Sequence, residues 1–363
     1  MKIMTVLGTR PEIIRLSLII KKLYKHCSHV LVHTGQNYDD SLNKIFFSDL
    51  QLPGPDFHLG VKAGTFAGQI GKLFIEFEKV MLKVKPDKIL ILGDTNSGLV
   101  SIAARRMGVP VYHMEAGNRC FDDRVPEEIN RRVIDHSSSV LLPYTHNGKE
   151  NLLREGVDLR RIYVTGNPIF EVLNACGEKI EASDIHNRLK LQPKKYFLAT
   201  MHREENVDIK SRLSNILTSL NALQGKYKLP VICSLHPRTK KRIKAFNLAP
   251  ENKDVRFLAP LGFSDFIALE KKALCVITDS GTVQEECCIL KVPNVTVRDT
   301  TERPETLEVG SNIITGNDPE DILNCVELAL SETTEWEIPG EYLIKNVSST
   351  VVKIVLSFKY SPL

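Results

Sequence analysis

The chain has 363 residues, 42% of them hydrophobic and 25% charged, which bounds it as a globular protein long enough for two domains with separate cores. A net charge of +4 is too small to argue for a nucleic-acid partner, and the densest basic run, His236 to Lys244, reads as a solvated helix face. The eight cysteines show no CxxC and no metal-ligand spacing, the N-terminus is a buried strand and not a signal peptide, and no apolar run approaches a membrane span; the expectation is a reduced, cytoplasmic protein without a membrane partner.

Apolar runs of strand length alternate with helix-period segments, which predicts α/β architecture with parallel sheets covered by helices on both faces. The first strand, Ile3 to Leu7, ends at Gly8, and Pro11 opens an amphipathic helix carrying Ile13, Ile14, Leu16, Ile19, Ile20 and Leu23. A strand at Val30 to Val32 is followed by the loop HTGQNYDDS and two helical stretches, the second from about Thr65 to Val84. Strands Lys88 to Leu92, Val111 to Met114, Val140 to Leu142 and Ile162 to Thr165 complete the first sheet, with a helix from Glu127 to His136. The polar segment Asn167 to Pro193 is the expected junction, dividing the chain into residues 1–170, 171–345 and a terminal helix in 346–363. Past it the alternation repeats, with strands Tyr196 to Thr200, Val231 to Ser234, Val255 to Phe257, Leu274 to Thr278 and Asn294 to Val297. Two doubly wound domains imply a cleft, with ligands held beyond the carboxyl ends of strands.

The polar clusters fall where that rule puts a ligand. The stretch His113 to Arg131, HMEAGNRCFDDRVPEEINR, interleaves Glu115, Asp122, Asp123, Glu127 and Glu128 with Arg119, Arg124 and Arg131. Crowded carboxylates push one another's pKa values apart, which equips a segment to move a proton; for any single acid a salt-bridged surface loop is the other reading. In GTRPE, Arg10 starts a helix beside free backbone N–H groups and either receives an anion or caps the helix against Glu12. In GDTNS, Asp94 ends an apolar strand and is either working or capping the next helix. In MHREEN, His202 and Arg203 follow a strand of the second half and should face the cleft; His202, beside Arg203, is either a satisfied structural histidine or a phosphate partner or proton donor. In TDSGTVQEE, Asp279, Ser280 and Gly281 form a tight turn whose N–H groups suit a diphosphate, and Glu286 lies one turn on, placed for a ribose. RDTTERPE adds Arg303 to the same phosphates.

In this order, GTRPE, GDTNS, HMEAG, PEEINR, VTGNP, HREEN, DSGTVQEE and RDTTERPE resemble the non-hydrolysing UDP-N-acetylglucosamine 2-epimerase family over essentially the whole chain. The resemblance implies a glycosyltransferase-B-type pair of Rossmann-like domains, the last helix crossing back to the first domain, a homodimer, and no metal or nicotinamide. It implies inversion of C2 of a UDP-2-acetamido sugar through loss of UDP and a 2-acetamidoglycal, in surface polysaccharide precursor synthesis. Proton transfer then belongs to Asp94, Glu115 and Glu127, without a face assigned to each. The diphosphate belongs to Arg10, His202, Ser280, Gly281 and Arg303 and the ribose to Glu286, with Arg131 and Arg203 as further substrate contacts. Three departures stand out. Arg15 replaces a family lysine, keeping charge but altering reach. The loop NRCFDDRVPEE is shorter, and Gln36 is followed by Asn37 and Tyr38 where the family's allosteric site uses a glutamine-histidine pair. TGQNYDD, GNRCFDDRVPEE, HPRT and PLGFSD are similar to the branch that forms UDP-N-acetyl-L-fucosamine. A UDP-sugar-dependent glycosyltransferase of the same fold and a non-catalytic UDP-sugar sensor are the competing expectations.

Overall fold

The strand Lys88–Leu92 is buried along its whole length, as a run without polar alternation must be when helices cover both faces of a sheet. The computed structural model describes residues 1–36, 40–332 and 335–357. The chain forms two units, Met1–Ala175 with Gly340–Leu363, and Cys176–Pro339.

In the first unit the strands are β1 (Lys2–Leu7), β2 (Ser28–His33), β3 (Phe57–His58), β4 (Lys88–Leu92), β5 (Val111–Met114) and β6 (Val140–Leu142). They pair in parallel in the order β3-β2-β1-β4-β5-β6. The order reverses between β1 and β4, so connections leave in opposite directions there and open a crevice beyond the strand ends. The helix Arg10–His26 starts just past β1. Pro11 presets its φ, and Thr9 and Glu12 satisfy its first N–H groups as a capping box. Its buried face carries Ile13, Leu16, Ile19, Ile20 and Leu23, each contributing about 1.5–3 kcal/mol by burial. The other face of the sheet closes over Met4, Val6, Ile89, Ile91 and Phe77.

One expected strand is absent. Ile162–Thr165 makes an isolated bridge, Leu141 with Ile162, and its N–H groups at Tyr163 and Thr165 donate to Leu141 and Pro143. Pro143 has no N–H to return, so no ladder continues. The sixth strand is instead the two-residue β3 at the opposite edge.

The chain re-enters this unit at Gly340, and the helix Val347–Ser357 packs on Arg10–His26. Three ties hold it: the Ser348 N–H donates to Glu171 (2.8 Å), Lys22 donates to the hydroxyls of Ser348 and Ser349 (2.7 and 2.6 Å), and Lys88 donates to the Val355 carbonyl (2.6 Å). Of the residues expected in loops and helices, Asn37, Tyr38 and Phe358 lie outside those described.

The second unit repeats the plan with β7 (Phe197–Met201), β8 (Val231–Leu235), β9 (Val255–Leu258), β10 (Cys275–Thr278), β11 (Asn294–Thr296) and β12 (Asn312–Ile314). Their order is β12-β11-β10-β7-β8-β9, all parallel. The reversal falls between β7 and β10, and Phe197, Ala199, Val231, Cys233, Ile277 and Leu220 are part of the core. All eight cysteines are free thiols. Among the described residues no helix is long and apolar enough to cross a membrane.

Candidate active site

In the first unit the polar residues gather where β1, β4 and β5 end, on the crevice side of the order reversal. Glu12 ties the first two of these ends together. Its carboxylate accepts from the N–H groups of Gly8 (2.8 Å) and Thr9 (2.6 Å), from the Thr9 hydroxyl (2.8 Å), and from the Thr95 hydroxyl (3.0 Å) beyond β4. Burial pushes the Glu12 carboxyl up to about 7, against the opposing pull of those donors. Arg10, the first residue of the helix, lies with its guanidinium 5.7 Å over the Phe46 ring.

Asp94 is not the cap of the following turn, whose N-cap is Thr95. One oxygen of its carboxylate instead accepts from Arg131 Nε (2.9 Å), with Nη2 2.7 Å away in the same ion pair. Asn130 holds the Asp94 carbonyl at 3.0 Å, so two consecutive residues of the helix Pro126–Ser137 fix this position.

Glu115, immediately after β5, has φ 66°. A glutamate in the left-handed region costs on the order of 1–3 kcal/mol, and such residues persist only where surroundings overdetermine them. Here its N–H donates to Leu142 (3.1 Å), and its carboxylate receives Arg15 Nη1 at 2.9 Å. The next step of the chain is equally constrained: Gly117 has φ +79°, and a Cβ there would stand 2.0 Å from the Gly148 carbonyl oxygen. Only glycine fits. Behind this turn Asp135 accepts from Gly117 N–H (3.1 Å), pairs with His113 (2.8 Å) and pairs with Arg119 (2.8 Å). Burial would raise the Asp135 carboxyl, but His113 and Arg119 hold it below its usual range.

The two glutamates of PEEINR have different surroundings. Glu127 is half-buried in the first helical turn. Glu128 is fully buried, accepts the N–H groups of Cys120 and Phe121 (both 3.1 Å), and pairs with Arg131 at 2.7 Å. Burial opposes its charge, yet these donors keep it below the usual carboxylate range. Glu128 therefore pins the connecting loop to the helix and shares Arg131 with Asp94.

In the second unit the ends of β7 and β10 flank the order reversal. Asp279, expected as a turn former, is buried and receives the N–H groups of His202 and Arg203 (3.0 Å), Asn206 Nδ2 (3.3 Å) and His202 Nδ1 (3.1 Å). Burial would raise its carboxyl, but the His202 ring and these N–H groups hold it low. Ser280 is the N-cap of the helix Gly281–Leu290, and Glu286 is buried within that helix. Arg303 pairs with Glu285. Glu302 lies at the hub of three arginines, 2.7 Å from Arg298, 3.1 Å from Arg203 and 3.9 Å from Arg303.

The structure thus brings Asp94 onto Arg131, and Glu115 onto Arg15, in one unit. It brings His202, Arg203, Ser280, Gly281 and Arg303 around Asp279 and Glu302 in the other. Sequence reasoning missed Glu12, Glu128, Asp135 and Glu302 as organisers. One left a local trace: Glu128 and Arg131 are spaced i,i+3 on a helix, a spacing that brings opposite charges together.

Two Rossmann-like parallel sheets of one strand order, each with its ionisable groups at the order reversal, define an α/β protein of the glycosyltransferase-B type. The family described as UDP-N-acetylglucosamine 2-epimerase matches residues 21–356. The UDP-N-acetylglucosamine 2-epimerase of Methanocaldococcus jannaschii is 45% identical over 348 residues, 93% of this chain and 95% of that one. A crystal structure of UDP-GlcNAc 2-epimerase from that organism, in complex with UDP-GlcNAc and UDP, aligns with a TM-score of 0.94 at 44% identity over 98% of this chain and 99% of that chain. A UDP-2,3-diacetamido-2,3-dideoxy-D-glucuronate 2-epimerase of Pseudomonas aeruginosa is 36% identical over 92% of this chain and 94% of its own. MurG of Acinetobacter baumannii, at 15% identity and a TM-score of 0.53 over 98% of this chain and 99% of its own, shares the fold alone. The chain belongs to the UDP-N-acetylglucosamine 2-epimerase family.

Proposed function

We propose that the protein inverts C2 of a UDP-2-acetamido sugar without net hydrolysis, with UDP-N-acetylglucosamine and its C2 epimer as the pair. The observation that carries this is the arrangement in the first unit, where Glu115 and Asp94 end adjacent strands, each held against a buried arginine. A hydrogen on C2 has no neighbouring carbonyl to acidify it. Cleavage of the C1–O bond, with the electron pair leaving on UDP, and transfer of the C2 proton to a carboxylate give the 2-acetamidoglycal. Proton delivery to the opposite face of C2 and return of UDP to C1 complete the inversion. Two proton-handling positions are required, and Asp94, Glu115 and Glu127 are the candidates. His202, Ser280, Gly281, Arg203 and Arg303 bind the diphosphate, where N–H groups and cations stabilise charge as C1–O breaks; Arg131 holds Asp94, and Glu286 takes the ribose.

The relatives named above share UDP and a 2-acetamido group in their substrate names and differ at C3 and C6, which favours recognition through the shared part. A cytoplasmic homodimer supplying surface polysaccharide precursors is the setting that suits this reading. NMR in D2O, with UDP-N-acetylglucosamine and the UDP-6-deoxy-L-talo sugar in separate tubes, tests it. Deuterium at C2 with a second UDP-sugar appearing is the expected result, and the faster tube identifies the sugar. Binding without C2 exchange in either tube would replace the epimerase with a sensor or a transferase of the same fold, and free-sugar release would make it a hydrolysing enzyme.

A further inference from the structure

The second unit contains an acid in a place that otherwise suits an anion. Glu302 is buried and contacts all of Arg203, Arg298 and Arg303, while Glu285 pairs with Arg303 and Glu205 lies 3.7 Å from Arg298. It also stands against the first turn of the helix Gly281–Leu290: a Cβ on Gly281 would lie 2.5 Å from Glu302 Oε1 and 3.6 Å from Arg303 Cζ. A helix N-terminus and converging guanidinium groups form an anion seat, and a fixed negative charge inside it weakens the attraction for any arriving anion. In a low-dielectric surrounding that repulsion is weakly screened.

We propose that Glu302 is a positioning residue that acts as an internal counter-anion of the diphosphate seat. It spreads Arg203, Arg298 and Arg303 and moderates the grip on UDP, so that a nucleotide held through two rounds of bond change can still leave as product. This rests on the reading that Ser280, Gly281 and Arg303 hold the diphosphate. A role confined to bracing the RDTTERPE segment predicts the opposite sign, because loss of the brace would disorder the arginines and weaken UDP binding.

The experiment is calorimetric titration of UDP into the whole protein and into Glu302→Gln, with steady-state epimerisation of UDP-N-acetylglucosamine alongside. Glutamine keeps the shape and loses the charge. The expected result is UDP binding at least fivefold tighter, KM lowered in parallel, and kcat at least threefold lower as product release slows. Glu302→Asp withdraws the same charge by one methylene and should fall between the two, which keeps the question open to measurement if the glutamine variant does not fold. UDP affinity unchanged or weaker in a folded variant overturns the proposal. Failure of the unaltered protein to bind UDP would instead sink the functional reading beneath it.

Discussion

The two units share a strand order but present opposite chemistry at the order reversal. In the first, the acid is the more exposed partner in the pairs Glu115–Arg15 and Asp94–Arg131: the Glu115 side chain is 10% exposed against 1% for Arg15, and Asp94 22% against 3% for Arg131. In the second, the base leads in the pairs His202–Asp279 and Arg203–Glu302: His202 is 37% exposed against 1% for Asp279, and Arg203 13% against 2% for Glu302. The buried partner pays part of the desolvation cost of its neighbour and aims it, and the exposed partner is left to meet a ligand. One scaffold therefore offers carboxylates suited to protons and, in its second copy, cations suited to phosphate. Which member of each pair is buried decides the difference.

The most decisive way to break this contrast is to neutralise one exposed member in each unit. Glu115→Gln is expected to cut epimerisation about 10³-fold, within the range that positioned acid–base groups contribute, while UDP affinity stays within about twofold of the unaltered protein. His202→Asn should show the reverse emphasis, with UDP binding weakened about tenfold through loss of a charge-assisted contact. Titration calorimetry and C2 exchange separate the two. Undiminished turnover in Glu115→Gln would remove Glu115 from the reaction and with it the division of labour between the units.

Much of this was legible in the chain, and the exceptions have physical causes. Among the described residues, ten of the twelve strands are apolar runs bounded by turns, and the ligand-side motifs follow them directly. The remaining two, Phe57–His58 and Asn312–Ile314, are two and three residues long without a distinctive apolar run, whereas Ile162–Thr165 reads as a strand but stops at one bridge to Leu141, because Pro143 has no N–H to continue the ladder. Asp94, Glu115, His202 and Gly281 could be singled out because a strand end points at them. Asp279 was visible only as a turn residue, since its contacts with His202 and Arg203 lie 77 and 76 positions away. Glu115 carries no sign of its positive φ, because neither glycine nor asparagine marks the position. Glu128 and Glu127 are adjacent and identical, and only the helix phase shows which one is buried.

A smaller effect sharpens the comparison from the scaffold side. Glu12 has no arginine partner among its contacts named above, and burial leaves its carboxyl near 7. Its folded pKa lies above its unfolded value of 4.5, so the folded chain holds the proton more tightly and stability falls as pH rises from about 4.5 through 7. The shift corresponds to roughly 3 kcal/mol across that window. In Glu12→Gln the Thr95 hydroxyl can turn to accept from the amide, and the pH slope should disappear. Denaturant midpoints at pH 5 and pH 8 should therefore converge for the variant and remain apart for the parent after other titrations, common to both, are subtracted. Parallel curves would mean that the donors from Gly8, Thr9 and Thr95 keep Glu12 ionised throughout.

The smallest expected effect is at Arg15, where this chain departs from the lysine of better-known family members. The contact with Glu115 includes Nη1 at 2.9 Å. A lysine can supply one such donor. What it cannot supply is the planar guanidinium whose Cζ lies 5.6 Å over the Tyr144 ring, a contact contributing about 0.5–2 kcal/mol depending on desolvation. Arg15→Lys should therefore slow epimerisation by no more than about fivefold and leave the acidic limb of the pH–rate profile in place, because the charge beside Glu115 is kept. Arg15→Met removes that charge, and the same limb should move to higher pH as the Glu115 carboxylate loses the cation that favours its ionised form. If both variants leave the limb unmoved, Arg15 serves only to pack against Tyr144, and the exposed acid of this pair is tuned from elsewhere.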